Sequence, residues 1–369
     1  MQHMGGGVGL RFIMLKHMPL SMKYCCIDEV ELKDGTERNL EELEFQGNCL
    51  HKDIPACAGF VCVGDTMFMF GGSFYSIPQS ISTTQITSTN YLSTAPLPVG
   101  SSPVTWTRSP TSMSVVRVNP MVAPLHDGRI FICGGTPIRS SWAEIYDPKT
   151  GQFLSVDLPT NVAKIPLPRS CFQYTKELVL VYYDAWFYNQ DEYEGRARMS
   201  CDIEGYEPIL LQYNLVENHW DVFARVLPES YPDAYKRNLI YVGGNILFMM
   251  YFSYKWLVYN LSSKEVVANV EVELPDEDVI GAFNTHTTST SWVFYIFIRH
   301  VVNFMTDGVR YAKVEVVQGK DGDYIATVQM NGVLRVSPFS NMYMFGFKAR
   351  SKRGAEEEKK GKEKMMRNE

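Results

Sequence analysis

The side chains able to do chemistry are scattered along this chain. Of its seven histidines, His126 and His219 fall in expected turns, His286 in an expected innermost strand and His300 just past a second strand. The last two imidazoles could approach one another, but no spacing in the sequence fixes them as a metal pair. The eight cysteines include no Cys-x-x-Cys. Cys62, Cys133 and Cys171 sit inside apolar runs, which reads as reduced, buried thiols. Cys25 and Cys26 are adjacent on an expected strand, so they point to opposite faces and suit packing better than a shared ligand. No Gly-x-Ser-x-Gly elbow, phosphate-binding glycine loop or paired-histidine helix is present. The sequence therefore assigns no catalytic residue, no metal ligand and no cofactor.

Recognition chemistry is better represented. Residues 184–208 gather aromatic and acidic side chains, among them Trp186, Tyr188, Tyr193, Asp191 and Glu192. Large aromatics dominate interface energetics, and clustered acids favour a basic partner and speed its approach at low salt. Arg117, Arg169 and Arg237 each fall near the start of an expected first strand, close to one rim. Guanidinium groups there could hold a partner's carboxylates. They could equally bond to nearby backbone carbonyls or to acids such as Asp233.

These residues need a scaffold, and the scaffold repeats. Asp127–Cys133, Trp142–Asp147 and Phe153 align with Gly243–Met249, Trp256–Asn260 and Val266. A looser copy ends at Tyr213 and Trp220. In each copy a tyrosine is followed seven residues later by an apolar residue: Tyr146/Phe153, Tyr213/Trp220 and Tyr259/Val266. A repeated unit of turn, strand, loop, strand, turn and strand is the pattern of a propeller blade. Apolar runs after turn signals mark six second strands, at 67–70, 130–133, 178–182, 246–251, 292–298 and 342–345. Expected hairpins follow at 144–158, 210–226, 256–274 and 311–330. The sixth unit lacks outer strands, and an unassigned hairpin at 23–32, followed by Lys33-Asp34-Gly35, can supply them. The expectation is an all-β, six-bladed propeller over 22–347, its last blade starting at Gly332 and closed by that N-terminal hairpin. It is flanked by a disordered leader at 1–21 and a charged disordered tail at 348–369. The one short helical candidate is Arg38–Glu44.

In a four-stranded blade the second-to-third loop and the blade-to-blade connection leave on the same face. The two longest insertions, 73–103 and 184–208, are both expected second-to-third loops, which marks that face for a protein partner. The first is Ser/Thr-rich and carries Pro78, Pro96 and Pro98.

Composition limits the partners. Net charge is −6, and the tail from Lys348 carries about +4 of opposite sign, leaving a strongly acidic body that does not suit nucleic acid. No apolar run is long enough to span a bilayer, and residues 1–22 lack a secretory pattern. A cytoplasmic or nuclear monomer is expected, with the basic tail either a solvated end or an import signal.

Phe68-Met69-Phe70-Gly71-Gly72 and Phe131-Ile132-Cys133-Gly134-Gly135 end two second strands in a glycine pair. Around them lie Trp106-Thr107-Arg108-Ser109-Pro110 and Trp142-Ala143-Glu144-Ile145-Tyr146-Asp147. Across Gly59–Pro159 this resembles the kelch repeat, and is similar to plant kelch-repeat and F-box/kelch-repeat proteins. Later units depart from it: Tyr182-Tyr183 stands where the glycines belong, and Gly243-Gly244 precedes its strand. The resemblance implies a protein-binding propeller related to ubiquitin-ligase substrate adaptors. No F-box is recognisable ahead of the repeats, which weighs against direct docking to a ligase. Some kelch-type propellers are enzymes, so a galactose-oxidase-like metal enzyme is the rival reading. Its copper site needs two histidines and tyrosines, one crosslinked to cysteine. The Glu-x-x-x-Asp-x-x-x-His iron spacing of nitrile-specifier proteins is absent.

Overall fold

The computed structural model of the chain describes residues 9–18, 21–28, 31–39, 43–44, 46–47, 55, 57–76, 85–97, 104–158, 165–189, 198–201, 209–225, 238–241, 243–252, 255–271, 279–303, 306–336 and 341–349. These form strands and their connections, with a 3-10 turn at Arg139–Ser141 among the latter. The fold is an all-β propeller. Five blades are each laid down by one continuous stretch of chain as four antiparallel strands in chain order.

The first blade is Gly59–Val63, Thr66–Phe70, Tyr91–Pro96 and Thr105–Ser112. The second is Met121–Pro124, Ile130–Cys133, Ala143–Asp147 and Gln152–Val156. The third is Ile165–Gln173, Leu178–Asn189, Ile209–Asn214 and His219–Arg225. The fourth is Asn238–Tyr241, Ile246–Phe252, Lys255–Asn260 and Glu265–Glu271. The fifth is Val279–Thr287, Ser291–Asn303, Thr306–Gln318 and Tyr324–Val336. A further composite sheet runs Asn341–Ala349, Gly9–Met18, Ser21–Asp28 and Leu43–Glu44, joining strands from far apart in the chain. Its edge strand Asn341–Ala349 approaches Val279–Thr287 on one side and Gly59–Val63 on the other.

The repeat spacing has a direct structural meaning. Tyr146 pairs with Phe153, Tyr213 with Trp220 and Tyr259 with Val266 across the third-to-fourth hairpin of their blades. The first two pairs bring their rings to 4.6 Å and 4.9 Å. Each tyrosine then packs on the preceding blade: Tyr146 with Phe68 and Phe70, Tyr213 with Phe131, Tyr259 with Leu180 and Tyr182. The core is thus a series of clusters, each lying between consecutive sheets. Phe131, Trp142 and Ile145 of the second blade meet Val179, Val181 and Leu211 of the third. Phe248, Trp256 and Val258 of the fourth meet Phe294, Ile296 and Val314 of the fifth. Phe12, Met14 and Ile27 of the composite sheet meet Tyr295, Phe297 and Val309. Both faces of a blade are apolar because both are covered, so its strands read as apolar runs without alternation.

Several expectations are corrected. Five blades form, not the six expected, and the N-terminal hairpin joins a composite sheet with Asn341–Ala349. The run at 342–345 lies in the edge strand of the composite sheet, and Gly332 belongs to the outermost strand of the fifth blade. This N-terminal hairpin pairs Gly9–Met18 with Ser21–Asp28 in unbroken register, so much of the expected leader is strand and the 21/22 boundary falls inside the second strand. Its Phe12, Ile13 and Met14 are fully buried. The described parts of the helical candidate Arg38–Glu44 are strands: Thr36–Asn39 and Leu43–Glu44 lie on the outer edges of two sheets. The expected long loop 73–103 contains the first blade's third strand, Tyr91–Pro96, paired with Thr66–Phe70. The tail beyond Ala349 lies outside the described residues.

Both glycine pairs adopt the left-handed conformation, with φ of 65° and 99° at Gly71 and Gly72 and of 68° and 72° at Gly134 and Gly135. Each pair turns the chain where a neighbour comes close. A Cβ at Gly71 would lie 2.5 Å from the Arg117 carbonyl oxygen, and one at Gly134 would overlap the Pro168 ring. Gly71→Ala is expected to destabilise by about 1–3 kcal/mol, and Gly134→Val by more, because a β-branched residue at positive φ adds strain to the clash. Thermal unfolding of the two variants checks this; near-wild-type melting for both contradicts it. Deleting residues 9–28 strips two strands from the composite sheet. It should lower the melting temperature and promote association through the bared edge, read by calorimetry and light scattering.

Candidate functional site

The two insertions after second strands are ribbons that extend the sheet framework. In the first blade, Ser73–Ser76 pairs with Gln85–Ser88. Ser73 and Ser88 hydroxyls lie 3.3 Å apart at its base, and Phe74 packs on Tyr91 with ring centroids 6.4 Å apart. In the third blade, the second strand continues past the blade to Asn189, where Trp186–Asn189 pairs with Arg198–Cys201. Its other side takes Ile165 and Pro166 of the first strand, opposite Tyr188 and Phe187. Trp186 and Tyr188 therefore stand on a strand, not on the loop expected from Asp184. Asp191, Glu192 and Tyr193 lie outside the described residues. Because both ribbons follow a second strand, they leave the same face of their blades.

Arg117 does something other than expected. It is fully buried, as is Glu144. Arg117 Nε and Nη2 donate to Glu144 Oε2 at 3.1 and 2.9 Å. Nη1 donates to the carbonyls of Gly134 and Trp142 at 2.6 and 2.9 Å, and Nη2 to that of Ser141 at 2.6 Å. Those bonds use all five guanidinium protons, so none is left for a partner. The other Glu144 oxygen accepts from Ser114 N–H at 2.8 Å. The Arg117 backbone joins in as well: its carbonyl accepts from Gly72 N–H at 2.7 Å, and its N–H donates to the Thr89 carbonyl at 3.2 Å. One residue thus ties the connection from the first to the second blade to both glycine turns and to the foot of the first ribbon, its side chain to the Gly134 turn and its backbone to Gly72 and Thr89.

The remaining candidates divide. Arg169 is exposed at a register shift in the third blade's first strand, between Pro168 and Ser170. Arg237 and Asp233 lie outside the described residues. His126 is an exposed turn residue. His219 opens the third blade's fourth strand and pairs with Asp221 at 3.2 Å. His286 sits opposite Val293, whereas His300 sits opposite Gly308. Seven residues of one strand separate Val293 from His300, about 23 Å at strand rise. The register therefore places the two histidines at opposite ends of their hairpin, and the approach that a shared metal needs is lost. Among the described residues no group of three His, Cys, Asp or Glu could hold a metal ion. Cys62 has its thiol pushed up to about 12 by burial, and Cys171 is pushed well up by its contact with Cys133 and by burial. Both are protonated, weakly reactive thiols at neutral pH.

Glu144 was missed as a key residue. Its signal was available: an acid between Ala143 and Ile145 in a strand buried on both faces needs a cation. Val116 and Ile138 were also missed. They stay 45% and 42% exposed; Val116 directly precedes Arg117 in the chain, and Ile138 donates its N–H to Thr136 Oγ1.

No family model matches the sequence. An F-box/kelch-repeat protein of Arabidopsis thaliana is 36% identical over 108 residues, which cover 29% of this chain and 28% of the relative's length. Among solved structures, a polysaccharide lyase, the PL25 ulvan lyase, aligns with 95% of this chain and 92% of its own at 8% identity and a TM-score of 0.48. AztD of Citrobacter koseri aligns over 92% and 99% at 10% identity and 0.40. The C-terminal WD40 domain of Sif2 aligns over 89% and 84% at 8% identity and 0.39. The propeller assignment rests on the sheet topology, not on these. No helix among the described residues is long and apolar enough to cross a membrane.

Removing one partner of the buried pair leaves the other charged and unsolvated. Arg117→Met and Glu144→Leu should each cost about 3–5 kcal/mol, and the double variant less than the sum of the two. Denaturant unfolding of the three proteins measures the coupling. Additive losses would show the pair to be energetically idle.

Proposed function

We propose that this chain is a non-enzymatic, kelch-type protein-binding propeller, a substrate-recognition or scaffold module whose partner docks on the face bearing the two ribbons. The observation that carries the reading is that both long insertions fold as antiparallel ribbons leaving one face. Ordered insertions gathered on one face build a shaped surface, whereas loops lengthened by drift have no reason to pair their backbones. Val116 adds apolar surface next to Arg117, whose N–H donates to the Thr89 carbonyl at the foot of the first ribbon.

The kelch reading is supported by the glycine pairs at positive φ, by the blade order and by the partial similarity to the Arabidopsis protein. The link to ubiquitin-ligase adaptors rests on the 108-residue similarity alone. A cytoplasmic or nuclear site is part of the proposal, as are a monomeric state and the absence of nucleic-acid and cofactor binding. The galactose-oxidase-like alternative gains no support from the register of His286 and His300.

The test is affinity capture from native tissue with the full chain, followed by direct binding of the captured partner. Trp186→Ala together with Tyr188→Ala should weaken binding at least about tenfold if these are interface anchors. Neutralising Asp191 and Glu192 should chiefly flatten its salt dependence. His219→Ala, at a third-to-fourth turn on the opposite face, should leave binding unchanged. The reverse pattern assigns the wrong face, and stoichiometric copper or iron in purified protein removes the non-enzymatic reading.

A further inference from the structure

The wedge between the second and third blades holds two cysteines face to face. In Ile130–Cys133 the side chains alternate: Ile130 and Ile132 pack toward the first blade, Phe131 and Cys133 toward the third. In the third blade, Phe172 and Leu180 pack toward the fourth. Val179, Val181 and Cys171, which stands opposite Val181, pack toward the second. Strand parity thus turns both thiols into the same space.

Their levels match as well. Gly134, the residue after Cys133, comes so close to the third blade's first strand that a Cβ on it would overlap the Pro168 ring. Cys171 lies three residues further along that strand, just past the register shift between Pro168 and Ser170. The two thiols end in hydrogen-bond contact, and neither is in a disulfide. Cys133 is buried, and Cys171 is the less enclosed residue of the two. Among the described residues no third His, Cys, Asp or Glu joins them in a group that could hold a metal ion. Two facing thiols without a third ligand can still bond to each other, since parity already points their side chains together.

We propose that Cys133 and Cys171 are the two halves of a reversible disulfide that staples the second blade to the third. The oxidant is a low-molecular-weight disulfide, RSSR. The Cys171 thiolate attacks one of its sulfurs, forming a mixed disulfide and releasing RS⁻, which takes up a proton. The Cys133 thiolate then attacks the Cys171 sulfur, the second RS⁻ leaves, and the bond between the blades is made. Two electrons and two protons pass from the protein to give two RSH, and excess RSH runs the sequence backwards. The contact with Cys133 and burial keep the Cys171 thiol protonated in the closed wedge, so the first attack waits for a local opening. The bond closes a loop that contains the third and fourth strands of the second blade. It lies one residue from the Gly134 carbonyl that the Arg117 guanidinium holds, so it ties the third blade to the connection between the first two.

The test uses the full-length protein in glutathione buffers of stepped oxidised-to-reduced ratio, held a few degrees below unfolding so that the wedge opens often. Samples are quenched in acid, alkylated, digested with trypsin and read by mass spectrometry. Arg139, Lys149, Lys164 and Arg169 separate the two cysteines. The bond should therefore appear as a joined pair of peptides, two hydrogens lighter than the reduced pair, and vanish on return to reduced glutathione. The linked protein should melt a few degrees higher, because the bond restricts the unfolded chain. Cys133→Val and Cys171→Val keep the wedge apolar and should each abolish the link and the shift. If neither variant folds, the wild-type peptide map decides. Both thiols alkylated in fully oxidised glutathione would overturn the proposal. So would glutathione retained on Cys171, a link from either cysteine to any other, or a linked protein that melts lower than the reduced one.

Discussion

Every sheet in this molecule must cover both of its faces, and only its neighbours can do so. Burying one large apolar side chain contributes about 1.5–3 kcal/mol, and a free blade forfeits that at each position on its open faces. The aromatic clusters between consecutive blades, such as Tyr146 against Phe68 and Phe70 or Trp256 against Phe294, answer this constraint. Ring geometry, repeat spacing and the apolar strand runs follow from it. Cross-strand tyrosine pairs such as Tyr146/Phe153 give the third strand a bulk that fills the wedge between two twisted sheets.

Where the wedge is not apolar, a polar device replaces it. Arg117 and Glu144 are buried between the first two blades, and such a pair stabilises only when its remaining hydrogen-bonding capacity is met. Here it is met by three carbonyls at the second glycine turn and by Ser114 N–H. The glycines and the arginine are therefore parts of one arrangement: positive φ at both turns brings backbone close, the guanidinium holds the Gly134 carbonyl and the Arg117 backbone carbonyl accepts from Gly72 N–H. The candidate docking face inherits that rigidity, since the first ribbon starts at the same turn.

The blades were legible because their signals are local. Tyr146, Tyr213 and Tyr259 with their partners seven residues on encode hairpins whose register the structure shows. The second strands at 130–133 and 246–251 were likewise marked by turn and apolar run. What was not legible is non-local. Nothing near Phe12 says that it packs on Phe297, so residues 9–18 read as a leader. Leu40 and Leu43 look helical in isolation, but Thr36–Asn39 is held by an edge almost three hundred residues away. Arg117 was read as a rim charge because its counterion, Glu144, lies in the next blade. Trp186 and Tyr188 were found by residue type, though their extension of a strand was not, because its pairing with Arg198–Cys201 has no turn signature.

The composite sheet has a consequence for how the chain is made. Its inner strand is Asn341–Ala349, while the two strands beside it are Gly9–Met18 and Ser21–Asp28. During synthesis the hairpin emerges before all five continuous blades, and its strand partner after them. Phe12, Met14 and Ile27 therefore wait in water, or in a chaperone's grip, for as long as translation of the ring takes. A sheet of such high sequence separation forms slowly, and an apolar hairpin left waiting is open to capture by other nascent chains. Yield in the cell should thus depend on elongation speed and chaperone supply more than on the melting temperature of the finished ring.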